Sequence, residues 1–245
     1  MTNNCLNCNE IIAGKFCSNC SQSTSTHRFS LSHVLQHDFI HGIFHFDKGF
    51  FYTIKELFTR PGHSIREYVQ GKRTKHFNYF ATVILLLTIG YFIKKWGKIE
   101  ASALYDETNV SGLFKILKDY SKITVFLHIP IIAFISYLFF RKSKQNYTEN
   151  LVLNMYLLAG TLTLSLILPI LMIFIDNKEF LLQVNLYLTI LTFLYVAIFY
   201  YQYFSAFDLK KYKLIIRAIL IALFYLATKQ TTNNILNIIG QKYLH

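Results

Sequence analysis

An all-α polytopic membrane protein carrying a small cysteine-rich head is the fold class this sequence predicts, on three observations. The 245 residues are 53% hydrophobic and 17% aromatic with only 16% charged, an apolar excess that a single water-soluble domain would struggle to hide. The long uncharged runs lie after residue 76, whereas residues 1–76 hold all four cysteines and seven of the nine histidines. Finally, 25 Lys/Arg against 13 Asp/Glu leave a formal charge of +12, which suits anionic lipid headgroups better than nucleic acid. A plain soluble enzyme is disfavoured. The expected organisation is a head (1–26), an amphipathic and basic cytosolic neck (27–76) and a transmembrane helical domain (77–245).

In the head, Met1 to Ile12 is polar, so no cleaved secretory signal is expected and the N-terminus should stay in the cytosol. Thiols are kept reduced there, which favours metal ligands over disulfides. Cys5-Leu-Asn-Cys8 and Cys17-Ser-Asn-Cys20 are two CxxC pairs with eight residues between them. Each pair makes a knuckle that brings two thiolates to about 2.3 Å from one ion, and two knuckles close a tetrahedron. One structural Zn2+ per chain is therefore expected on Cys5, Cys8, Cys17 and Cys20, with a thiol-redox pair or an iron centre as alternatives. Gly14 is expected to turn the hairpin and Phe16 to cap its small core. A ribbon of about 20 residues needs metal to fold. Lys15 is its one basic residue, so a protein partner or the protein's own helices are its expected contacts.

The neck begins as an amphipathic helix whose stripe runs Leu31, Leu35, Phe39, Ile43, Phe46, Phe50, Ile54 and Leu57. His33, His37, His41 and His45 repeat every four residues on the opposite, wetter face. They are a solvated face first, and a candidate second metal or pH-sensing face after that. A helical stretch from Gly49 to Thr59 stops at Pro61-Gly62, and a short helix follows in which Ser64 and Glu67 read as a capping box and Gly71 as the terminator. Arg60, Arg66, Lys72, Arg73 and Lys75 then crowd the approach to the membrane. They are candidate anionic-lipid contacts, worth about 1 kcal/mol each near the surface, or else plain topology anchors.

Five spans are expected, near 77–93, 123–140, 151–175, 186–204 and 212–228, the last being the weakest because it carries Arg217. With the head inside, the inner segments hold nine, three and three Lys/Arg and the outer ones six, one and two, which favours that orientation. No Asp or Glu falls within the five apolar stretches, which counts against a proton-coupled pump. His128 and Asn154 are the intramembrane polar residues to watch, and Pro130 and Pro169 are candidate kinks. Tyr187, Tyr195, Tyr200, Tyr201 and Tyr203 of the fourth span cluster toward its inner end and read as an interfacial belt.

A resemblance follows from these motifs in order. The double knuckle with Phe16-Cys17-Ser-Asn-Cys20-Ser-Gln22, then Asp47-Lys-Gly49-Phe-Phe-Tyr-Thr53, then Arg60-Pro61-Gly62 through Ile65-Arg66-Glu-Tyr68 to Gly71-Lys72-Arg73, resembles a bacterial family known only as domain of unknown function number three-six-six-seven. Ser21 stands where that family usually has Gly, and Asn78-Tyr79 where a Pro is common. The resemblance implies an inner-membrane protein with a zinc-ribbon head and supplies no activity. The expected function is non-enzymatic: a multi-pass protein of the bacterial inner membrane, N-terminus in the cytosol, docking a protein partner or organising lipids. A small transporter, channel or lipid-handling protein lined by His128, Asn154, Thr161 and Ser165 is the alternative, and a histidine-dependent membrane metalloenzyme the third reading.

Overall fold

The computed structural model describes residues 4–34, 49–97 and 121–243. Among these residues the regular structure is helical, and the head adds only two isolated antiparallel bridges, Asn4 with Ile11 and Phe16 with Ser23. The main helices are α1 (Gly49–Thr59), α2 (Pro61–Val69), α3 (Tyr79–Lys95), α4 (Ser121–Phe139), α5 (Tyr147–Ser165), α6 (Ile167–Phe174), α7 (Lys178–Phe204) and α8 (Lys211–Tyr243). Each of the five apolar stretches is helical. Among the described residues two runs, rather than the five expected, are long and apolar enough to cross a membrane, Tyr147–Phe174 with 28 residues and Lys178–Phe204 with 27.

Local sequence sets the helix ends. Asn78 accepts from the Phe80 and Ala81 N–H groups and so caps α3, leaving Tyr79 at the first helical position, where proline is also favoured. Asn146 and Glu149 form a reciprocal capping box on α5. The helix breaks at Leu166, between α5 and α6, because Pro169 has no N–H to give to the Ser165 carbonyl. Pro130 is carried inside α4.

α5 is the central element, packed on α2, α3, α4 and α7, with every side chain from Val152 to Thr161 buried. α7 is different: its apolar outer residues Leu186, Ile190, Leu194 and Ile198 are exposed, while Tyr195, Phe199, Tyr200, Tyr203 and Phe204 face the core. Phe140 lies flat on Phe204, with centroids 3.7 Å apart and planes 5° apart, and beside Tyr200. The tyrosine belt is thereby corrected. Tyr195, Tyr200 and Tyr203 are core residues, because Tyr195 packs on Gly160 of α5 while Tyr200 and Tyr203 fill the join between α5, α7 and the α4–α5 turn, whereas Tyr187 and Tyr201 face outward.

Candidate metal centre

The two knuckles are copies of one backbone plan. In the first, Cys5 N–H donates to the Glu10 carbonyl (2.7 Å) and Asn9 N–H to the Cys5 carbonyl (2.9 Å). In the second, Cys17 N–H donates to Gln22 (2.9 Å) and Ser21 N–H to Cys17 (2.9 Å). Asn9 (φ 63°) and Ser21 (φ 59°) take the left-handed conformation at equivalent places, which explains why a glycine suits position 21. The Sγ atoms of Cys5, Cys8, Cys17 and Cys20 lie within 4.8 Å of one another, with Cys5–Cys20 and Cys8–Cys17 each at 3.5 Å. A tetrahedron with metal–sulfur bonds of about 2.3 Å has edges of about 3.8 Å, so the four thiols can hold one metal ion. Phe16 does not cap this small core; at 64% exposed it points away from the knuckles, as does Ile11 at 71%.

The ribbon sits on the neck. The Leu6 side chain lies where a Cβ on Gly71 would go, 2.7 Å away. Gly71 (φ 117°) ends α2 in a Schellman turn, its N–H bonded to Tyr68 O (3.0 Å) and Lys72 N–H to Glu67 O (2.9 Å). Gln22, buried, accepts from Arg73 N–H (3.2 Å) and the Thr74 hydroxyl (2.6 Å). Arg73 places its guanidinium 3.8 Å from the Phe29 ring centroid and donates to the His27 carbonyl (2.9 Å). Arg28 then grips Glu149 with two 2.7 Å bonds, and Asn146 donates to the Phe29 carbonyl (2.9 Å). The guanidinium of Arg28 is held more firmly protonated by those bonds to Glu149. Head, neck and the start of α5 are thus stitched together, and sequence reasoning missed Arg28 and Glu149. The Asn146-x-x-Glu149 capping pattern was the readable signal for the second.

The neck arginines have protein partners. Arg60 bonds Glu56 (2.6 Å) and both Glu67 oxygens (3.2 and 3.3 Å), and Lys72 approaches Glu67 at 3.9 Å. Burial pushes the Glu67 carboxyl up, but the bonds and charge of Arg60 outweigh it and hold the carboxyl below its ordinary range. Arg66 donates from one nitrogen to the Gln202 (2.8 Å) and Tyr203 (3.1 Å) carbonyls, satisfying the negative end of the α7 dipole. The other terminal nitrogen lies 3.2 Å from His63 Nδ1, so the fork is spent on protein groups. Lys75 is exposed and Lys72 is half exposed.

Ser64 is not an N-cap. α2 starts at Pro61, so Ser64 lies inside the helix, fully buried, with its hydroxyl 2.8 Å from His76 Nε2. His76 is packed among the rings of Tyr52, Tyr68 and Tyr156, and its Nδ1 is buried without a partner among the described residues. Burial lowers its pKa to about 4, so the ring is neutral. This serine–histidine pair is packed among the aromatic rings between α1, α2 and α5.

The remaining candidates divide. His33 closes the single turn Leu31–His33, while His37, His41 and His45 lie outside the described residues. His128 Nε2 donates to the Thr228 carbonyl on α8 (2.9 Å). Asn154 belongs to a buried network, donating to Ser136 Oγ (3.2 Å) and Asn150 O (2.7 Å) and accepting from Tyr200 (2.6 Å).

Residues 47–89 match the family described as Protein of unknown function (DUF3667). Over these residues the chain is similar to that family. The family resemblance read from the motifs is therefore shown over α1, α2, the Gly71 turn and the first part of α3. No curated protein and no solved structure matches the chain. The DUF3667 segment is the seat under the ribbon, holding Glu56, Arg60, Gly62, Arg66, Gly71 and Arg73; the four cysteines lie before it.

Proposed function

We propose that the chain is a non-enzymatic, multi-pass protein of the bacterial inner membrane, which holds a zinc ribbon rigidly against the cytosolic end of its helical bundle as a platform for a protein partner. The seat carries this reading. A loosely tethered head needs none of the Leu6–Gly71, Gln22–Arg73, Arg73–Phe29 and Arg28–Glu149 contacts, whereas a surface presented at a fixed height above the membrane does. The surface presented is Ile11 and Phe16, apolar and exposed beside the two bridges of the ribbon. Zinc on four thiolates has no open coordination position and acts by folding the ribbon.

Five spans, α3, α4, α5–α6, α7 and α8, with the N-terminus inside, are supported by the distribution of Lys/Arg and by the apolar outer face of α7. They are supported also by position: the ribbon, the α4–α5 turn and the end of α7 share one end of the bundle, as this threading requires. Anionic-lipid contact falls to Lys72 and Lys75, because Arg60, Arg66 and Arg73 are committed to protein groups. A transporter lacks comparable support, since His128, Asn154, Thr161 and Ser165 all bond to protein neighbours.

Affinity purification from native membranes tests the platform, comparing wild type with an Ile11→Ser/Phe16→Ser variant and analysing proteins, lipids and zinc together. The wild type should retain a protein that the variant loses, with zinc and lipid unchanged. Identical protein retention by both would overturn the reading.

A further inference from the structure

α1 is amphipathic the wrong way round for a helix in water. Its inner face buries Thr53 and Glu56 beside Phe50 and Leu57, while its outer face carries Phe51, 75% exposed, Phe58, 43% exposed, and Lys55 between them. The polar inner groups are matched: the Thr53 hydroxyl accepts from Phe77 N–H (2.8 Å), and Glu56 bonds Arg60. The α1–α2 hairpin therefore turns Thr53 and Glu56 inward and Phe51 and Phe58 outward, with Lys55 between the two rings.

The hairpin is also set deep against α7. A side chain on Gly62 would meet the Phe199 carbonyl and the Tyr203 N–H, so α2 rests directly on the α7 backbone, and Gly62 N–H donates to the Gln202 side chain (3.1 Å). Phe58, at the end of α1, packs on Tyr195 with centroids 5.8 Å apart. At ~1.5 Å per residue Tyr195 lies about 13 Å along α7 from Phe204. The 27-residue α7 is about 40 Å long, which exceeds a hydrocarbon core of ~30 Å by about 5 Å at each end. On that count Phe58 reaches roughly 8 Å below the headgroup boundary. The outer face of α1 then continues the exposed residues Leu194, Ile198 and Tyr201 of α7.

From this we infer that the α1–α2 hairpin of the DUF3667 segment is a re-entrant wedge in the cytosolic leaflet, and that the Phe51–Lys55–Phe58 face is covered by lipid acyl chains. The inference rests on the membrane reading above. Lys55 snorkels to the phosphates while the two rings take the acyl region. Arg60 does not oppose insertion because both Glu56 and Glu67 neutralise it, and Arg66 is spent on the end of α7. The segment read as a cytosolic neck thus displaces lipid from one leaflet.

Tryptophan quenching in vesicles of phosphatidylglycerol and phosphatidylethanolamine tests this with the full chain. Trp96 is the only native tryptophan, so a Trp96→Phe background carries one tryptophan at a time, replacing Phe51, Leu194 on the outer face of α7, or Ile11 on the ribbon. Phe51→Trp should be quenched by lipids with a doxyl group high on the acyl chain, as Leu194→Trp is by lipids labelled deeper. Its quenching by acrylamide should be about threefold weaker than that of Ile11→Trp. Strong acrylamide quenching at position 51 with doxyl quenching at 194 would overturn the wedge and leave the membrane reading standing. Protection at 51 from both quenchers would mean a protein cover and also overturn it. No doxyl quenching at either position would remove the membrane reading and the wedge together.

Discussion

Removing the Arg28–Glu149 pair should detach the ribbon from the bundle at a measurable cost. The Glu149 side chain is 5% exposed and that of Arg28 66%, so the pair has one buried and one wet partner. Breaking a fully buried pair costs about 3–5 kcal/mol, and a fully exposed one about 0–1 kcal/mol. Two 2.7 Å bonds on a half-wet pair place the coupling near 2 kcal/mol. Glu149→Gln is the informative change, because glutamine can still accept the Asn146 N–H and keep the α5 cap while losing the charge. A double-mutant cycle with Arg28→Gln, read by SDS unfolding in micelles, isolates the pair. A coupling below about 0.3 kcal/mol would refute the reasoning that this contact holds the ribbon down.

Three further outcomes follow. Gly71→Ala strains a backbone at φ 117° and drives a Cβ into Leu6, so it should destabilise by about 1–3 kcal/mol and raise protease cleavage within residues 4–26, measured by limited proteolysis. His76 is neutral when folded, with a pKa of about 4 from burial, against about 6.5 unfolded. The unfolded state therefore binds the extra proton between these values, and stability should fall by about 3 kcal/mol as pH drops from about 6.5 to 4 and stay level below. Thermal melts of wild type and His76→Gln across that window check it, the variant losing that part of the slope. Arg66→Lys keeps the charge but cannot reach two carbonyls equally well, so it should lower stability by about 1–2 kcal/mol without changing anionic-lipid content on purification.

Much of the local structure was legible because it is written in short range. The CxxC spacing, the glycine stop at residue 71 and the apolar stretches each reflect contacts within a few turns of chain. What escaped were partners far apart in sequence. Arg66 looked like a lipid ligand because a sequence displays its charge but not the α7 carbonyls it meets. Phe16 read as a core cap, although the knuckle geometry turns it outward. Ser64 mimicked a cap because Ser-x-x-Glu occurs at helix starts, yet Pro61 had already begun the helix. The tyrosines of α7 suggested an interface, but burial by Phe140 and α5 puts three of them in the core. The apolar stripe of α1 was found at Phe50 and Leu57, while the buried Thr53 and Glu56 had no periodic signal because their partners lie on the chain beyond the helix.

A metal-closed ribbon is the centre of the proposed platform, and elemental analysis of the purified chain tests it most directly. One zinc per chain is expected in the wild type, with zinc lost from the variant in which Cys5, Cys8, Cys17 and Cys20 are all serine. A full equivalent of zinc retained by that variant, or a wild type carrying no stoichiometric zinc, would contradict it.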